Sequence, residues 1–236
     1  MKELDWLKTL IIAAAIALAG YFIGNMQRTG KAYDRSVEVK GLSEREVPAD
    51  MAVWPINIEY TGNDLKALRS DIEQQNKVVY QFFLDQGFTA DELTQGITNI
   101  NDAKANIYNS QAQYSAFRYL AKSEFTVRTS DIAKLQKALT ESLELTAKGI
   151  LLGSKNSWRP IEYSYNGLNT IKPSMIEEAT KNAREVAEKF ALDSDSKVGD
   201  IRLARQGLFS IYDRDENTPE IKMVRVVSTI EFQLND

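Results

Sequence analysis

The chain has 236 residues and a formal net charge of −4, and it contains no cysteine and no histidine. The lack of histidine excludes the commonest general base, the commonest metal ligand and any Ser-His-Asp triad, and the lack of cysteine excludes disulfides and thiol catalysis. The acidic balance also argues against a nucleic-acid interface, which normally carries clustered Lys and Arg, so any catalysis would have to use carboxylates, Lys, Tyr or Ser.

An uncharged run occupies residues 9–24 near the start of the chain. A helix of this length measures about 24 Å, and neighbouring apolar residues extend it towards the roughly 30 Å of bilayer hydrocarbon. We therefore predict a membrane anchor over residues 1–26 and a linker over residues 27–35, with the following domain translocated across the membrane. The alternatives are a signal peptide cleaved after Ala19, which would release the domain, and a buried helix of a soluble protein.

The next stretch, residues 36–60, predicts a β-hairpin. A short strand reaches Gly41, which can supply the positive φ of a tight turn, and a longer strand returns from about Glu46. Pro55 lacks an N–H group, so it is expected at a bulge or on an edge strand. Apolar and polar residues alternate along the second strand, and its predicted core face consists of Ala52, Trp54, Ile56, Ile58 and Tyr60.

The same stretch carries a pattern, Val-x-Val-x-Gly-x-x-Glu over residues 37–44 followed by Pro48-x-Asp50-x-Ala52. This pattern resembles the SIMPL family of bacterial envelope proteins, and the match continues through an alanine-spaced helix and later strands, over roughly residues 36–234. Relatives usually carry a Gly where the third helix ends, near Leu192, whereas here residues 193–196 read Asp-Ser-Asp-Ser.

The resemblance implies a noncatalytic protein that self-assembles or binds a partner in the bacterial envelope. Together with the anchor, it predicts a single-pass protein of the inner membrane with its C-terminal domain in the periplasm. It also implies a link to envelope or oxidative stress, and some relatives look like ring-forming oligomers.

Three helices are predicted after the hairpin. The first covers residues 64–86 and the second covers residues 131–149. The third begins with a capping box at residues 174–177, with Pro173 just outside it. Its narrow small-residue face is predicted to contain Ala179, Ala183 and Ala187, joined by Ile176, Val186 and Phe190.

Apolar alternation predicts further strands over residues 91–102, 115–128, 150–165, 198–212 and 221–234. Residues 103–113, rich in Asn, Gln and Ala, predict an exposed loop. The element order, ββαββαβαββ, indicates an α+β fold with mixed or antiparallel sheets packed with helices. Residues 36–236 form one SIMPL-like domain in this interpretation, and two interleaved α+β lobes remain an open alternative.

Two groups of residues form the candidate interaction surface: the charged residues Glu44, Arg45, Glu46 and Asp50, and the tyrosines Tyr108 and Tyr114. Paired carboxylates could act as general acid and base, so a carboxylate-dependent envelope hydrolase is the alternative function. A charged strand edge at an exposed turn is the favoured interpretation of the first group. The tyrosines could stack on bases or sugars, but a sheet face or a subunit contact is favoured.

No catalytic, metal or cofactor site is predicted. Residues 193–197 resemble the start of a calcium loop, but Lys197 occupies a ligand position and Ala204 stands where the closing Glu belongs. The sequence also lacks a phosphate-binding glycine loop and a nucleophile elbow.

A homo-oligomer is predicted instead. The long strands at residues 46–60 and 221–234 are expected to offer free edges, and a membrane anchor would concentrate and align the copies. A head-to-tail contact that closes would give a ring, with residues 44–50 or the loop at 103–113 at the contact.

Overall fold

The computed structural model describes residues 10–24, 35–105, 116–154 and 161–235. These residues belong to two compact units. Unit 1 draws on Met1–Arg45, Asn169–Ile211 and Met223–Asp236, and unit 2 draws on Glu46–Leu168 and Tyr212–Lys222. Both units therefore combine parts of the chain that are far apart in sequence.

Residues 10–24 form the first helix, α1, and large apolar side chains along it, such as Phe22, are exposed. Among the described residues, no helix has both the length and the apolar character needed to cross a membrane. The remaining residues of the predicted anchor, 1–9 and 25–26, lie outside the described residues, and so does the predicted linker up to residue 34.

Ten strands, four further α-helices and one 3-10 helix (Ala90–Glu92) follow α1 in the described residues. In chain order the strands and α-helices are β1 (Ser36–Pro48), β2 (Met51–Gly62), α2 (Leu65–Asp85), β3 (Leu93–Gln95), β4 (Asn99–Asp102), β5 (Tyr119–Thr129), α3 (Ile132–Glu141), α4 (Glu144–Ala147), β6 (Leu152–Ser154), β7 (Glu162–Ser164), α5 (Leu168–Asp193), β8 (Lys197–Gln206), β9 (Ser210–Asp213) and β10 (Ile221–Asn235). The predicted α+β class, with antiparallel sheets packed with helices, is confirmed.

Unit 1 is a sheet in the order β1-β10-β8 with α5 packed on one face, and β9 also pairs with β10. The central strand β10 alternates buried and mostly half-buried residues, in the period of two that its sequence predicts. Its buried positions meet β1 and α5 in a core made of Val39, Ala183, Ala187, Ile230 and Phe232.

The predicted hairpin is wrong, and Gly41 explains why. Strand β1 continues through Gly41 to Pro48, and β1 and β2 belong to different sheets. Gly41 does not have a positive φ. A Cβ atom at residue 41 would lie 1.8 Å from the carbonyl oxygen of Ala179 and 2.6 Å from the backbone nitrogen of Ala183. The glycine is needed because the backbone of α5 approaches β1 at this point.

Helix α5 begins six residues before the predicted capping box, so Pro173 lies inside it. The prediction of its buried face is correct for the alanines only. Four residues advance a helix by about 400°, so a row with spacing four drifts by about 40° at each step. Ile176, Val186 and Phe190 lie on the flanks of the buried row. The row follows this drift and consists of Met175, Ala179, Ala183, Ala187 and Ala191.

Unit 2 is a sheet in the order β3-β5-β2-β6, in which β4 also pairs with β5 and β7 also pairs with β2. The predicted core face of β2 is confirmed, and Trp54 is 4 % exposed. The Trp54 ring meets Phe83 of α2 edge to face, with centroids 5.7 Å apart. Pro55 keeps register with β5, and on its other side it falls between the residues paired with β6 and β7, at a gap in the ladder.

Several predicted strands are shorter than expected. The strand at 91–102 is divided into β3 and β4, and the strand at 198–212 is divided into β8 and β9. The strand at 150–165 appears as β6 and β7, and residues 155–160 between them lie outside the described residues. Residues 106–113 of the predicted loop also lie outside the described residues, whereas Ala103 at its start is buried.

Candidate functional site

The charged residues of the signature segment in unit 1 have partners within that unit. A Glu44 carboxylate oxygen lies 3.4 Å from Arg225, and Arg45 lies 3.4 Å from Glu178. Ser43 donates a hydrogen bond of 2.9 Å to the same Glu178 carboxylate. These charges tie β1 to α5 and β10.

In unit 2, Asp50 has a structural role that the sequence does not reveal. Its carboxylate accepts hydrogen bonds from the backbone N–H groups of Asn166 and Gly167, at 2.8 to 2.9 Å. These residues directly precede α5, so Asp50 fixes the point where the chain enters the helix. Glu46, the other acidic residue of the segment in this unit, lies 3.4 Å from Arg214.

The remaining candidates are the two tyrosines and the segment that resembles a calcium loop. Tyr108 and Tyr114 lie outside the described residues. In the segment that resembles a calcium loop, Asp195 has a φ of 50° and occupies the turn that ends α5. The described ranges contain no group of three or more acidic side chains placed to hold a metal ion.

The two strands predicted to have free edges are interior strands. β2 lies between β5 and the pair β6 and β7, and β10 lies between β1 and β8. Sequence alternation identified these strands as half-buried, but it could not show which neighbours flank them. The outer strands in the described chain are instead β1 and β8 in unit 1, and β3, β4, β6 and β7 in unit 2.

Strand β8 of unit 1 is exposed over most of its ten residues. All residues from Asp200 to Gln206 are exposed, and these include the apolar Ile201 at 43 % and Leu203 at 40 %. By contrast, Asn182 of α5 donates a hydrogen bond of 2.8 Å to the Leu42 carbonyl of β1, at the opposite side of the sheet. The other outer strand, β1, has buried residues along its length, so β8 is the more exposed of the two outer strands in the described part of unit 1.

Unit 2 contains a groove of about 810 Å³ between α2 and the outer strands β3 and β4. The helix contributes the wall from Arg69 to Gln81; Gln95 of β3, Ile100 of β4 and Thr98 between these strands complete the lining. The wall includes apolar surface from Ile72 as well as polar and charged groups.

A chain of neutral hydrogen bonds joins four residues beneath this groove. The Tyr60 hydroxyl donates to Asn76 Oδ1 at 2.7 Å, and Asn76 Nδ2 donates to Ser123 Oγ at 3.2 Å. Ser123 Oγ lies 2.9 Å from Thr98 Oγ1. Burial raises the pKa of Tyr60 to about 12, so the phenol remains protonated and keeps its role as donor. The floor of the groove is therefore polar but uncharged.

Two signals in the sequence could have indicated this floor. Asn76 stands on the apolar row of α2 with Leu68, Ile72 and Val79, where a polar residue needs a partner. Ser123 interrupts the buried row of β5 in the same way, between Ala121 and Phe125. Alternation predicts the core, and these two polar exceptions to it indicate a buried hydrogen-bond network.

The geometry defines an α+β protein with two antiparallel sheets whose accessible features, in the described residues, are strand edges and a groove. The family model for SIMPL, described as a protein of unknown function (DUF541), matches residues 37–233. The chain therefore belongs to the SIMPL family, which confirms the resemblance in its signature segment. The comparison with curated proteins finds no match.

Proposed function

We propose that this SIMPL protein is a noncatalytic, membrane-anchored module of the bacterial periplasm that works by self-association. The exposed edge strand β8 of unit 1 is the observation that carries the proposal. A long open edge with apolar side chains attracts another strand, and no described residue of unit 1 covers it. A role in envelope or oxidative stress is part of the proposal and is supported by the resemblance alone.

The backbone of β8 has hydrogen-bonding groups directed outward. Gly207 N donates to Val227 O at 2.9 Å, so Gly207 faces β10. The direction alternates along an antiparallel ladder, so Ala204, which is paired with Ile230, presents its N–H and C=O to the outer edge. Beyond the irregularity between Glu231 and Phe232, Ile201 takes the same outward orientation.

One register allows two β8 strands to pair favourably. An antiparallel pairing centred between Arg202 and Leu203 places Ile201 opposite Ala204, so that outward-facing residues meet. It also places Asp200 opposite Arg205, twice across the contact. Opposite charges in such positions contribute roughly 0.2 to 1 kcal/mol each, whereas like charges destabilise. This contact is isologous and gives a dimer, and a ring would need a second, different contact.

The membrane anchor is supported by the uncharged run at residues 9–24 and by the exposed apolar side chains of α1. Anchoring places copies in one plane, so it raises their local concentration and favours weak strand pairing. Membrane fractions should therefore contain the full-length chain, and a soluble mature protein beginning at Gly20 would contradict the anchor.

The test uses the full-length chain extracted in detergent, with crosslinking and sedimentation. The parent should form a dimer or a larger assembly. Asp200→Arg places like charges opposite each other and should weaken association at least tenfold. The double variant Asp200→Arg/Arg205→Asp exchanges the charges and should restore it.

Asp71→Arg is the matched control, because it makes the same charge change at an exposed position of α2 and should assemble as the parent does. A parent that is strictly monomeric in detergent would end the proposal of self-association. Assembly that is unaffected by Asp200→Arg, or not restored by the double variant, would exclude the β8 contact.

A further inference from the structure

Strands β3 and β4 of unit 2 form one outer strand with a bulge. Gly96 N donates to Glu124 O at 2.7 Å, and Asn99 pairs with Lys122. Two residues, Ile97 and Thr98, therefore lie opposite the single residue Ser123. A bulge of this kind redirects side chains, and here the Thr98 hydroxyl turns inward to Ser123 at 2.9 Å while Ile97 is 85 % exposed.

The outer strand has two residues whose backbone N–H and C=O groups point away from β5, towards the groove. Ala103 N donates to Arg118 O at 2.8 Å, so alternation directs the N–H and C=O of Ile100 away from β5. The Gly96 bond to Glu124 directs the corresponding groups of Gln95 outward in the same way. No further strand pairs with this side of β3 and β4 in the described part of unit 2. Both residues also line the groove.

The groove has the dimensions of a short strand. Its helical wall extends from Arg69 to Gln81, which corresponds to about 18 Å at 1.5 Å per residue. An extended chain covers that length with about five or six residues at 3.3 Å each. A strand lying between a helix and an open sheet edge is a recurring mode of peptide recognition, in which the main chain provides affinity and side-chain pockets provide specificity.

The charges of the groove indicate what the peptide carries. Arg69 and Glu73 neutralise each other at 2.8 Å. Lys77 has no ion pair among the described residues, so it leaves one positive charge on the helical wall. Ile72 and Ile100 supply apolar surface, and the floor at Asn76 and Thr98 is neutral.

We propose that this groove binds an extended segment of a partner polypeptide as an added strand beside Gln95 and Ile100, with an acidic side chain of the segment opposite Lys77. The neighbouring inward-facing side chain of the peptide is apolar and packs between Ile72 and Ile100. This activity is independent of the β8 contact, because it uses unit 2 only.

The test selects a displayed library of random linear hexapeptides on the full-length chain in detergent. Enriched peptides should alternate apolar residues and contain Asp or Glu. Affinity is then measured by fluorescence anisotropy with two probes, the best labelled peptide and its counterpart with Lys in place of the acidic residue. The acidic probe should bind at least tenfold more tightly.

Two variants separate the main-chain and charge contributions. Ile100→Pro removes an outward N–H group together with the Ile100 side chain, so it should abolish binding while leaving the β4–β5 ladder intact, whereas Ile100→Ala keeps the N–H group and should weaken binding less. Lys77→Glu should lower the affinity for the acidic probe at least tenfold and raise the affinity for the Lys probe. Lys66→Glu, the same change at an exposed position of α2 that does not line the groove, should bind as the parent does.

Hydrogen exchange keeps the test decisive if Ile100→Pro fails to fold. In the parent, bound peptide should slow exchange of the Gln95 and Ile100 amides. The proposal is overturned if no peptide is enriched, if binding leaves both amides unprotected, or if Lys77→Glu and Lys66→Glu bind the two probes alike.

Discussion

Replacing Gly41 with alanine should separate α5 from β1. The added Cβ would lie 1.8 Å from Ala179 O and 2.6 Å from Ala183 N. A carbon and an oxygen that are not bonded approach to about 3.3 Å, so the helix would have to move by roughly 1.5 Å. A gap of even 0.5 to 1 Å removes about a quarter to a half of the attractive energy of each dispersion contact. Overpacking of a core costs about 1 to 3 kcal/mol in the free energy of unfolding.

We expect the upper end of that range, about 3 kcal/mol, because both obstructing atoms belong to the backbone and cannot rotate away. With a urea slope of about 2 kcal/mol per molar, the unfolding midpoint of the full-length chain in mild detergent should fall by roughly 1.5 M. Ala183→Gly should not rescue the variant, since it leaves the obstructing nitrogen in place. Gly62→Ala is the control, because its nearest neighbours are side-chain atoms of Leu68 at 3.5 Å. If Gly41→Ala and Gly62→Ala unfold at the same urea concentration, the close packing of α5 on β1 is wrong.

Two other predictions concern unit 2. Trp54→Ala should lower the free energy of unfolding by about 3 to 5 kcal/mol, as for other buried aromatics. Ile97→Ala, at an exposed position, should change it little. Equal melting of the two variants would contradict the assignment of Trp54 to the core. Burial by itself raises the pKa of Glu92, but hydrogen bonds from Lys134, Thr129 and the Thr89 backbone lower it to about 2. This contribution to stability is complete above the unfolded pKa of about 4.3 and is lost as the pH falls towards 2. Glu92→Gln should therefore flatten the pH dependence of urea unfolding in that interval. An unchanged profile would show that the ion pair between Glu92 and Lys134 does not contribute to stability.

The sequence predicted the parts of the fold that depend on local periodicity. Alternation in β2 and β10 and the alanine row of α5 are visible in any short window, because each period is set by one element. The role of Gly41 was not predictable in this way, since a glycine serves a turn and a close approach equally well. The atoms that require it, in Ala179 and Ala183, come from a distant part of the chain.

The start of α5 and the groove were missed for related reasons. The capping box at residues 174–177 is a sound local signal, but Asp50 binds the chain just before Leu168 and sets an earlier start. The groove depends on a bulge opposite Ser123 and on which strand lies at the edge. Both follow from pairing between distant segments, and a single sequence does not specify that pairing.

The position of β10 has a consequence for the synthesis of the protein. β1 and β8 each pair with β10, which follows both of them in the chain, and they do not pair with each other. Until residues 221–235 have emerged, β1 and β8 have no neighbour in their sheet, so unit 1 cannot fold progressively with translation. Its strands must stay unpaired until β10 has been made, and a truncation that removes β10 would leave them without their common neighbour.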